Sequence, residues 1–267
     1  MENKRKAYPS DSTDIEWQII LPYLPQDCPT GRPRKWEWRD LIDALFYMTR
    51  NSCGWRSLPG DFPPWQTVYH YFDWFKNSRF WEALNDHLSQ EIRLEEGREA
   101  DPSAGSIDSQ SVKASDTGCF HGYDAGKKIK GIKRHILVDT NGFLLSAVVH
   151  SASDQDYDAA KWVFDKFAQR GRTERFALCW ADGIYDKARV REAAAKYNID
   201  VEIIKRSDDV KGFKLLPKRW VVERTFGWLM KSRRLNRDYE RQSETAECFI
   251  YLAMCRLMLK RLASYYL

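Results

Sequence analysis

The chain has 267 residues, 43% of them hydrophobic and 14% aromatic, with a formal net charge of +5. That length allows one sizeable domain or two smaller ones, and the composition excludes an intrinsically disordered chain. The charge is unevenly spread: between Lys205 and Arg241 twelve Lys/Arg stand against five Asp/Glu, and such a basic block points to an anionic partner, nucleic acid first and an acidic membrane surface second. Six cysteines (Cys28, Cys53, Cys119, Cys179, Cys248, Cys255) are scattered with no CxxC pair. Neither a zinc site nor a disulfide framework is expected, and reduced thiols in a cytosol fit better. The N-terminal MENKRKAYPS has no apolar signal-peptide core. The most apolar run, CFIYLAMCRLMLKRL, is broken by Arg256 and Lys260, too short and too charged to span a bilayer. It reads as a buried C-terminal helix, and the location as cytoplasmic.

In chain order, the first helix centres on TDIEWQIILPYL. The second is KWEWRDLIDALFYMTRN, where Trp38, Leu41, Ile42, Leu45, Phe46 and Met48 form a broad apolar face. A Gly- and Pro-rich turn, SCGWRSLPGDFPPW, precedes two more helices, QTVYHYFDWFKNS and RFWEALNDHLSQEIRLEE. The non-periodic EEGREADPSAG reads as a linker over 96–105, separating a helical domain at 1–95 from a second domain at 106–267. GSIDSQSVKA then reads as a strand. The segment holding Asp116, Gly118, Gly122, Asp124 and Gly126 reads as a loop. GIKRHILVDTNGFLLSAVVH reads as a hairpin turning at Asn141-Gly142. Beyond it the spacing predicts a helix from DQDYDAAKWVFDKFAQR, a strand from RFALCWAD, a helix from YDKARVREAAAKY, a strand from DVEIIK, and a long helix from Leu216 to about Leu235. The expected class is α/β: a mixed sheet with helices on its faces.

Three acids stand where chemistry can reach them. Asp108 lies in the first strand of the second domain, Asp182 ends the apolar strand just before Gly183, and Glu223 is the lone carboxylate in the basic stretch RWVVERTFGWLMKSRR. Ligand sites in α/β proteins gather at strand ends. Two carboxylates ~4 Å apart repel by about 4 kcal/mol at a protein-like dielectric. A hard divalent cation resolves this, and all-oxygen ligands favour Mg²⁺ or Mn²⁺ over zinc. Two such ions suit displacement at a phosphodiester. On a continuous helix Arg219 lies about 40° and Arg234 about 20° from Glu223, so acid and bases share a face. The plainer alternative for Glu223 is a surface ion pair with Arg219 or Arg224.

Other residues carry weaker signals. Asp154, Asp156 and Asp158 mimic a calcium loop, but Ala159 stands where glycine is required, so they read as helix N-caps. Asp139 belongs to the hairpin turn, and Asp186 reads as the cap of the next helix. His70, His87, His121, His135 and His150 show no paired ligand spacing. Among them His121 stands out for its basic, Gly-rich surroundings. Lys113, Lys127, Lys128, Lys130, Lys133 and Arg134 are candidates to follow a DNA backbone, as are Arg219, Arg224, Lys231 and Arg234 around the lone acid; a solvated loop and the outer face of a strand are the alternative for the 127–134 set. Arg32 and Arg34 form a short arm suited to a narrow minor groove, although a solvated linker explains them as well. Gln66, His70 and Lys76 sit on the second helix of a helix–turn–helix and face a major groove if that motif reads DNA. The alternative is a small helical bundle in which Tyr69, Phe72, Trp74 and Phe75 are core.

SIDSQSVKA, ILVDTNG, ADGIYD and RWVVERTFGWLMKSRRLNRDYE resemble the catalytic domain of bacterial insertion-sequence transposases of the DDE type, most closely the insertion-sequence-five family. GWRSLPGDFPPWQTVYHYFDWFKNSRFWEAL resembles that family's N-terminal domain. The resemblance implies a fold like ribonuclease H and a metal-binding triad of Asp108, Asp182 and Glu223 loaded with Mg²⁺, Mn²⁺ being a possible substitute, with two ions in the site. It implies a bacterial, nucleoid-associated enzyme that binds the ends of its element, cuts with metal-activated water and joins the freed 3′ hydroxyl to target DNA, working as a dimer or larger assembly. Of the wider group's Tyr-Arg-Glu-Lys signature, Arg219 and Glu223 match. Leu216 stands in place of the Tyr, and Lys231 is one place late after Met230. Rival readings are a metal-dependent nuclease of the same fold that never joins ends, a DNA-binding protein without catalysis, and a tyrosine recombinase.

Overall fold

The structure is a computed structural model that describes residues 5–26, 34–115, 120–204 and 217–267. Arg32, Cys28, Cys119, Asp116, Gly118 and Leu216 lie outside the described residues. The chain opens with α1 (Asp14–Ile20), whose N-cap Thr13 accepts from the Glu16 amide while the Glu16 carboxylate accepts from the Thr13 amide, a reciprocal cap that satisfies two otherwise orphaned donors. Next come α2 (Trp38–Asn51), α3 (Trp65–Asn77) and α4 (Phe80–Glu95). Each has an apolar stripe at helical spacing, and Leu41, Leu45, Val68, Phe72, Leu84 and Leu88 are buried.

The sheet begins at β1 (Ala104–Lys113), two residues inside the expected linker. It continues with β2 (Gly122–Asp124), β3 (Ile129–Asp139), β4 (Leu144–Ser151), β5 (Leu178–Ala181) and β6 (Asp200–Ile203). Strand β2 replaces part of the loop expected around Asp124: Gly122 pairs with Gly131, and a Cβ on Gly131 would sit 2.0 Å from the Val112 carbonyl oxygen, so only glycine permits the approach. Strand β3 is central to the first half of the sheet. It pairs antiparallel with β1 on one edge and with β2 and then β4 on the other. Strands β5 and β6 follow β1 in parallel, joined by the crossover helices α5 (Asp156–Ala168) and α6 (Ala188–Ala195).

Strand alternation sends Ile107, Leu137, Cys179 and Ala181 to one face, packed with Val163, Phe164, Phe167 and Val190 of α5 and α6. Val112, Ile132, Ile136 and Val138 point to the other face. There they share one continuous core with α7 (Pro217–Leu229), α8 (Ser243–Ala263) and the N-terminal helices. No helix among the described residues is long and apolar enough to cross a membrane.

Three local expectations are corrected. The long helix stops at Leu229 and is followed by a short 3-10 turn at Arg233–Leu235. The N-cap of α5 is Gln155, without a side-chain bond; Asp156 instead pairs with Lys133, and Asp158 with Arg189. The cap of α6 is Lys187, while Asp186 pairs with Arg191.

The Asn141-Gly142 hairpin turn is fastened from two sides. Asp139 accepts the amides of Asn141 (2.9 Å) and Phe143 (2.8 Å), and Arg93 of α4 reaches it at 2.8 Å in a fully buried pair. Replacing Arg93 with Ala strands that carboxylate. It should cost about 3–5 kcal/mol of stability, read as a lower midpoint in urea unfolding.

Candidate metal and nucleic-acid site

Strands β1 and β5 bring Asp108 and Asp182 together. Ser106 is the partner of Trp180 in the parallel ladder, and each acid lies two residues further on, at the same level and on the same side. Strand β5 ends at Ala181. Asp182 caps the following turn, accepting the Ile184 amide at 2.9 Å. Asp108 stays within β1, opposite Ile136 of β3, and accepts the Ser109 amide at 2.7 Å. Burial, then the charge of Asp182, pushes the Asp108 carboxyl up to about 7; the Ser109 amide, Arg219 and Lys127 pull the other way.

Helix α7 crosses the same sheet face. The Ser106 hydroxyl donates to the Lys218 carbonyl at 2.6 Å, which fixes the first turn of α7 beside β1. Arg219 then lies between the acids: its Nη2 is 3.5 Å from Asp182 and 3.8 Å from Glu223. Glu223, with its side chain 48% exposed, stands at the rim. The ion-pair reading of this acid is present as an i,i+4 contact with Arg219, whose guanidinium also reaches Asp182.

The donor set consists of carboxylate oxygens alone, which suits a hard divalent ion. Among the described residues, no three His, Cys, Asp or Glu groups stand close enough to enclose one. The Arg219 guanidinium explains the gap, since it supplies the positive charge that Asp182 and Glu223 require. The residues therefore fit a divalent cation in chemical type but do not enclose one as they stand, with the Arg219 guanidinium placed between Asp182 and Glu223.

Of the cations expected around the acids, some are exposed and some are not. Lys113, Lys127, Lys128 and Lys130 are exposed, and the Lys127 ammonium lies 3.3 Å from the Ser109 carbonyl, beside Asp108. Lys133 and Arg134 are withdrawn. They are neighbours on β3, so they point to opposite faces, and both faces are covered. Lys133 is bound to Asp156 at 2.9 Å and to the Asp154 carbonyl at 2.8 Å. Arg134, 1% exposed, bonds the Leu235 carbonyl. Neither reaches a phosphate in this structure.

Arg234 is likewise removed from the Glu223 face, because the helix ends before it. It is buried, 2.7 Å from Glu240 and 3.0 Å from the Cys53 carbonyl. Arg224 donates to the Asn141 carbonyl at 2.7 Å and lies against the Trp220 and Trp228 rings, a structural post. Lys231 is exposed. In the N-terminal region Gln66 and His70 are exposed on α3, Lys76 is engaged by Asp73 at 2.8 Å, and Arg34 stacks on Trp38. A buried pair that the sequence did not single out lies behind the acids: the Tyr185 hydroxyl and His135 Nε2 are 2.9 Å apart, and the Tyr185 phenol is pushed up by burial and then by the charge of Asp108.

A central strand flanked by an antiparallel hairpin and two parallel strands, with carboxylates at its heart and a third on a crossing helix, defines a ribonuclease H-like protein. Comparison with known proteins narrows this. The model of the transposase DDE domain family matches residues 99–259, and a second family, described as "Putative transposase of IS4/5 family", matches residues 13–85. The chain belongs to the DDE-domain transposase family, for which dependence on a divalent metal is general. It is 35% identical over 130 residues, 47% of its own length, to a Burkholderia cepacia protein described as "Putative transposase for insertion sequence element IS402". The matched region spans 61% of that relative.

The raised proton affinity of Asp108 has a stability consequence without metal. A carboxyl at about 7 when folded and ~4 when unfolded binds more proton in the native state, so stability falls as pH rises from about 4 towards 7. In metal-chelating buffer, urea midpoints of the wild type should decline across that window. The Asp108→Asn protein should decline less steeply, the difference between the two isolating this group from Asp43 and Asp238, whose carboxyls burial also pushes up to about 6.

Proposed function

We propose that the protein is the transposase of a bacterial insertion sequence, binding the ends of its element and catalysing strand cleavage followed by strand transfer into target DNA. The observation that carries this reading is the Arg219 guanidinium poised between Asp182 and Glu223 beside Asp108: a carboxylate cluster that requires a cation, placed on a face with cations on either side. Asp108, Asp182 and Glu223 would hold the divalent metal, Mg²⁺ with Mn²⁺ as substitute and two ions in all. When bound, the metal supplies a water of lowered pKa and charge stabilisation at the phosphoryl oxygens.

The chain's own residues do the rest. Asp108 and Asp182, brought near each other by the β1–β5 pairing, would act together. Glu223, at the exposed rim, closes the set once Arg219 turns from the carboxylates towards a phosphate. Lys113, Lys127, Lys128 and Lys130 line the approach and hold the strand by charge. Residues 1–95 form a region that reads the element ends, with Gln66 and His70 offered on α3, joined through 96–105 to the catalytic region at 106–267. Synapsis of two ends calls for at least two copies on DNA. A cytoplasmic, nucleoid-associated location goes with that task.

The test uses purified protein and a plasmid carrying the gene's native flanking DNA, with Mg²⁺ or Mn²⁺. Replacing Asp182 with Asn should lower cleavage at the flanks by more than about 100-fold, since even a residue that only supports a metal ligand is worth 10–100-fold. Binding of the same DNA should persist. Undiminished cutting by that variant removes Asp182 from the site. Cut ends that are never joined would mark a nuclease instead.

A further inference from the structure

A second basic site lies away from the acids, where α2, the segment after α7, α8 and the N-terminal residues meet. It is a cavity of about 370 Å³, and Arg50, Lys231, Arg256 and Lys260 line it. No carboxylate is among its described lining residues. The four cations come from three separate parts of the chain, so their convergence comes from the fold and not from one charge run. Arg256 is anchored as the wall, bound to Glu16 at 2.8 Å and to the Asp11 carbonyl at 3.0 Å, with its guanidinium over the Phe46 ring. Arg50 donates to the Lys231 carbonyl at 2.8 Å, which ties α2 to the end of α7 and brings Lys231 to the cavity. Lys231 and Lys260 are exposed, and among the described residues neither is in a salt bridge, the Glu16 charge acting on Lys260 from behind Arg256.

Two further observations point to a missing anion. Ser10 also lines the cavity; it is 93% buried (7% exposed), and its Oγ has no hydrogen-bond partner, an expensive state for a buried hydroxyl unless something fills it. The Lys260 ammonium is held below its ordinary range by burial and then by the charge of Arg256, with Arg50 adding to it and Glu16 opposing, so cations crowd the cavity with one carboxylate behind Arg256 to offset them. The floor is apolar, with Phe46, Ala253 and Leu257, and Trp228 stands at the side. Cations above an apolar floor suit a phosphate group carrying an organic body, a nucleotide unit above all.

We propose that this cavity is a phosphate-binding site, with Lys231 and Lys260 meeting the phosphate oxygens and Ser10 donating from below. Its favoured source is the backbone of a DNA strand running past the end of α7, and for that source the inference rests on the DNA-acting function proposed above. A free phosphate or mononucleotide is the other source of the same chemistry.

The experiment compares wild type with the double variant Lys231→Gln, Lys260→Gln. Both residues are exposed, so the variant should fold, and removing like charges should leave its Tm unchanged or higher. Binding of a fluorescent duplex with the native flanking sequence is followed by anisotropy across a range of NaCl. If the source is DNA, the variant binds about 10-fold more weakly near physiological salt, and its log–log salt slope is shallower by about 1, the value for one lost phosphate contact. If the source is a free anion, DNA binding is equal in the two proteins, but inorganic phosphate or AMP raises the Tm of the wild type and not of the variant. Equal salt slopes together with equal, or absent, anion-induced Tm shifts would overturn the proposal. The metal-dependent cutting assay with Asp182→Asn reads the catalytic proposal separately, so loss of one leaves the other standing.

Discussion

The structure depends on a repulsion that it does not relieve with distance. The parallel pairing of β1 and β5 brings Asp108, within β1, near Asp182, just past the end of β5. The ladder pairs the two strands just before the acids, and burial, then the Asp182 charge, raises the proton affinity of Asp108. What reaches both Asp182 and Glu223 is a guanidinium delivered by α7, with Lys127 adding charge beside Asp108. Much of the architecture can be understood as the means of delivering it: the Ser106–Lys218 bond seats the first turn of that helix, and Arg224 and Thr225 fasten its middle to the hairpin.

The C-terminal helix makes this platform continuous with the N-terminal helices. Phe249, Tyr251, Leu252, Met254, Cys255, Met258 and Leu259 of α8 are buried on all sides, which accounts for a helix nearly uniform in hydropathy around its circumference. Its polar residues are used at contacts between elements. The Tyr251 hydroxyl accepts from the Ala147 amide and from Arg170, Glu247 bridges Lys166 and the Val149 amide, and Arg256 joins α8 to α1 through Glu16. The sheet, the crossover helices and the N-terminal helices therefore share one framework, and the second basic cavity lies in a seam of it.

Much of this was legible in the sequence, because the signals were local. Helices α2 to α4 announced themselves by periodicity, the hairpin by Asn141-Gly142, and β5 by an apolar run ending in Asp182. Asp108 could be singled out by its place in the first strand after the linker, and Glu223 as the lone acid in a basic stretch. What misled was information carried only by tertiary contacts. Lys133 and Arg134 look like a surface pair until both faces of β3 are found covered. Arg234 looks like a neighbour of Glu223 only if α7 continues, and no proline or glycine marks its end at Leu229. Strand β4 slips register between Leu137 and Val138 of its partner, so its inward and outward residues do not simply alternate. The cavity at Arg50, Lys231 and Lys260 could not be read at all, since Arg50 is 181 residues from the Lys231 it is tied to.

The hairpin turn has a consequence for how this protein can vary. A turn of this kind ordinarily tolerates exchange among several short sequences, because its only duty is to reverse the chain. Here the carbonyl of Asn141 receives Arg224, and that of Gly142 receives the Thr225 hydroxyl at 2.7 Å. Gly142 is at φ +89°, and a Cβ there would lie 2.8 Å from that same hydroxyl oxygen. Arg224 and Thr225 immediately follow Glu223, so the turn acts as a gauge block for the outermost acid. Its sequence is therefore constrained twice, by the positive φ of the hairpin and by the α7 residues that rest on it some eighty residues away, and drift at this tip would be felt in the seating of α7 as well as in the turn.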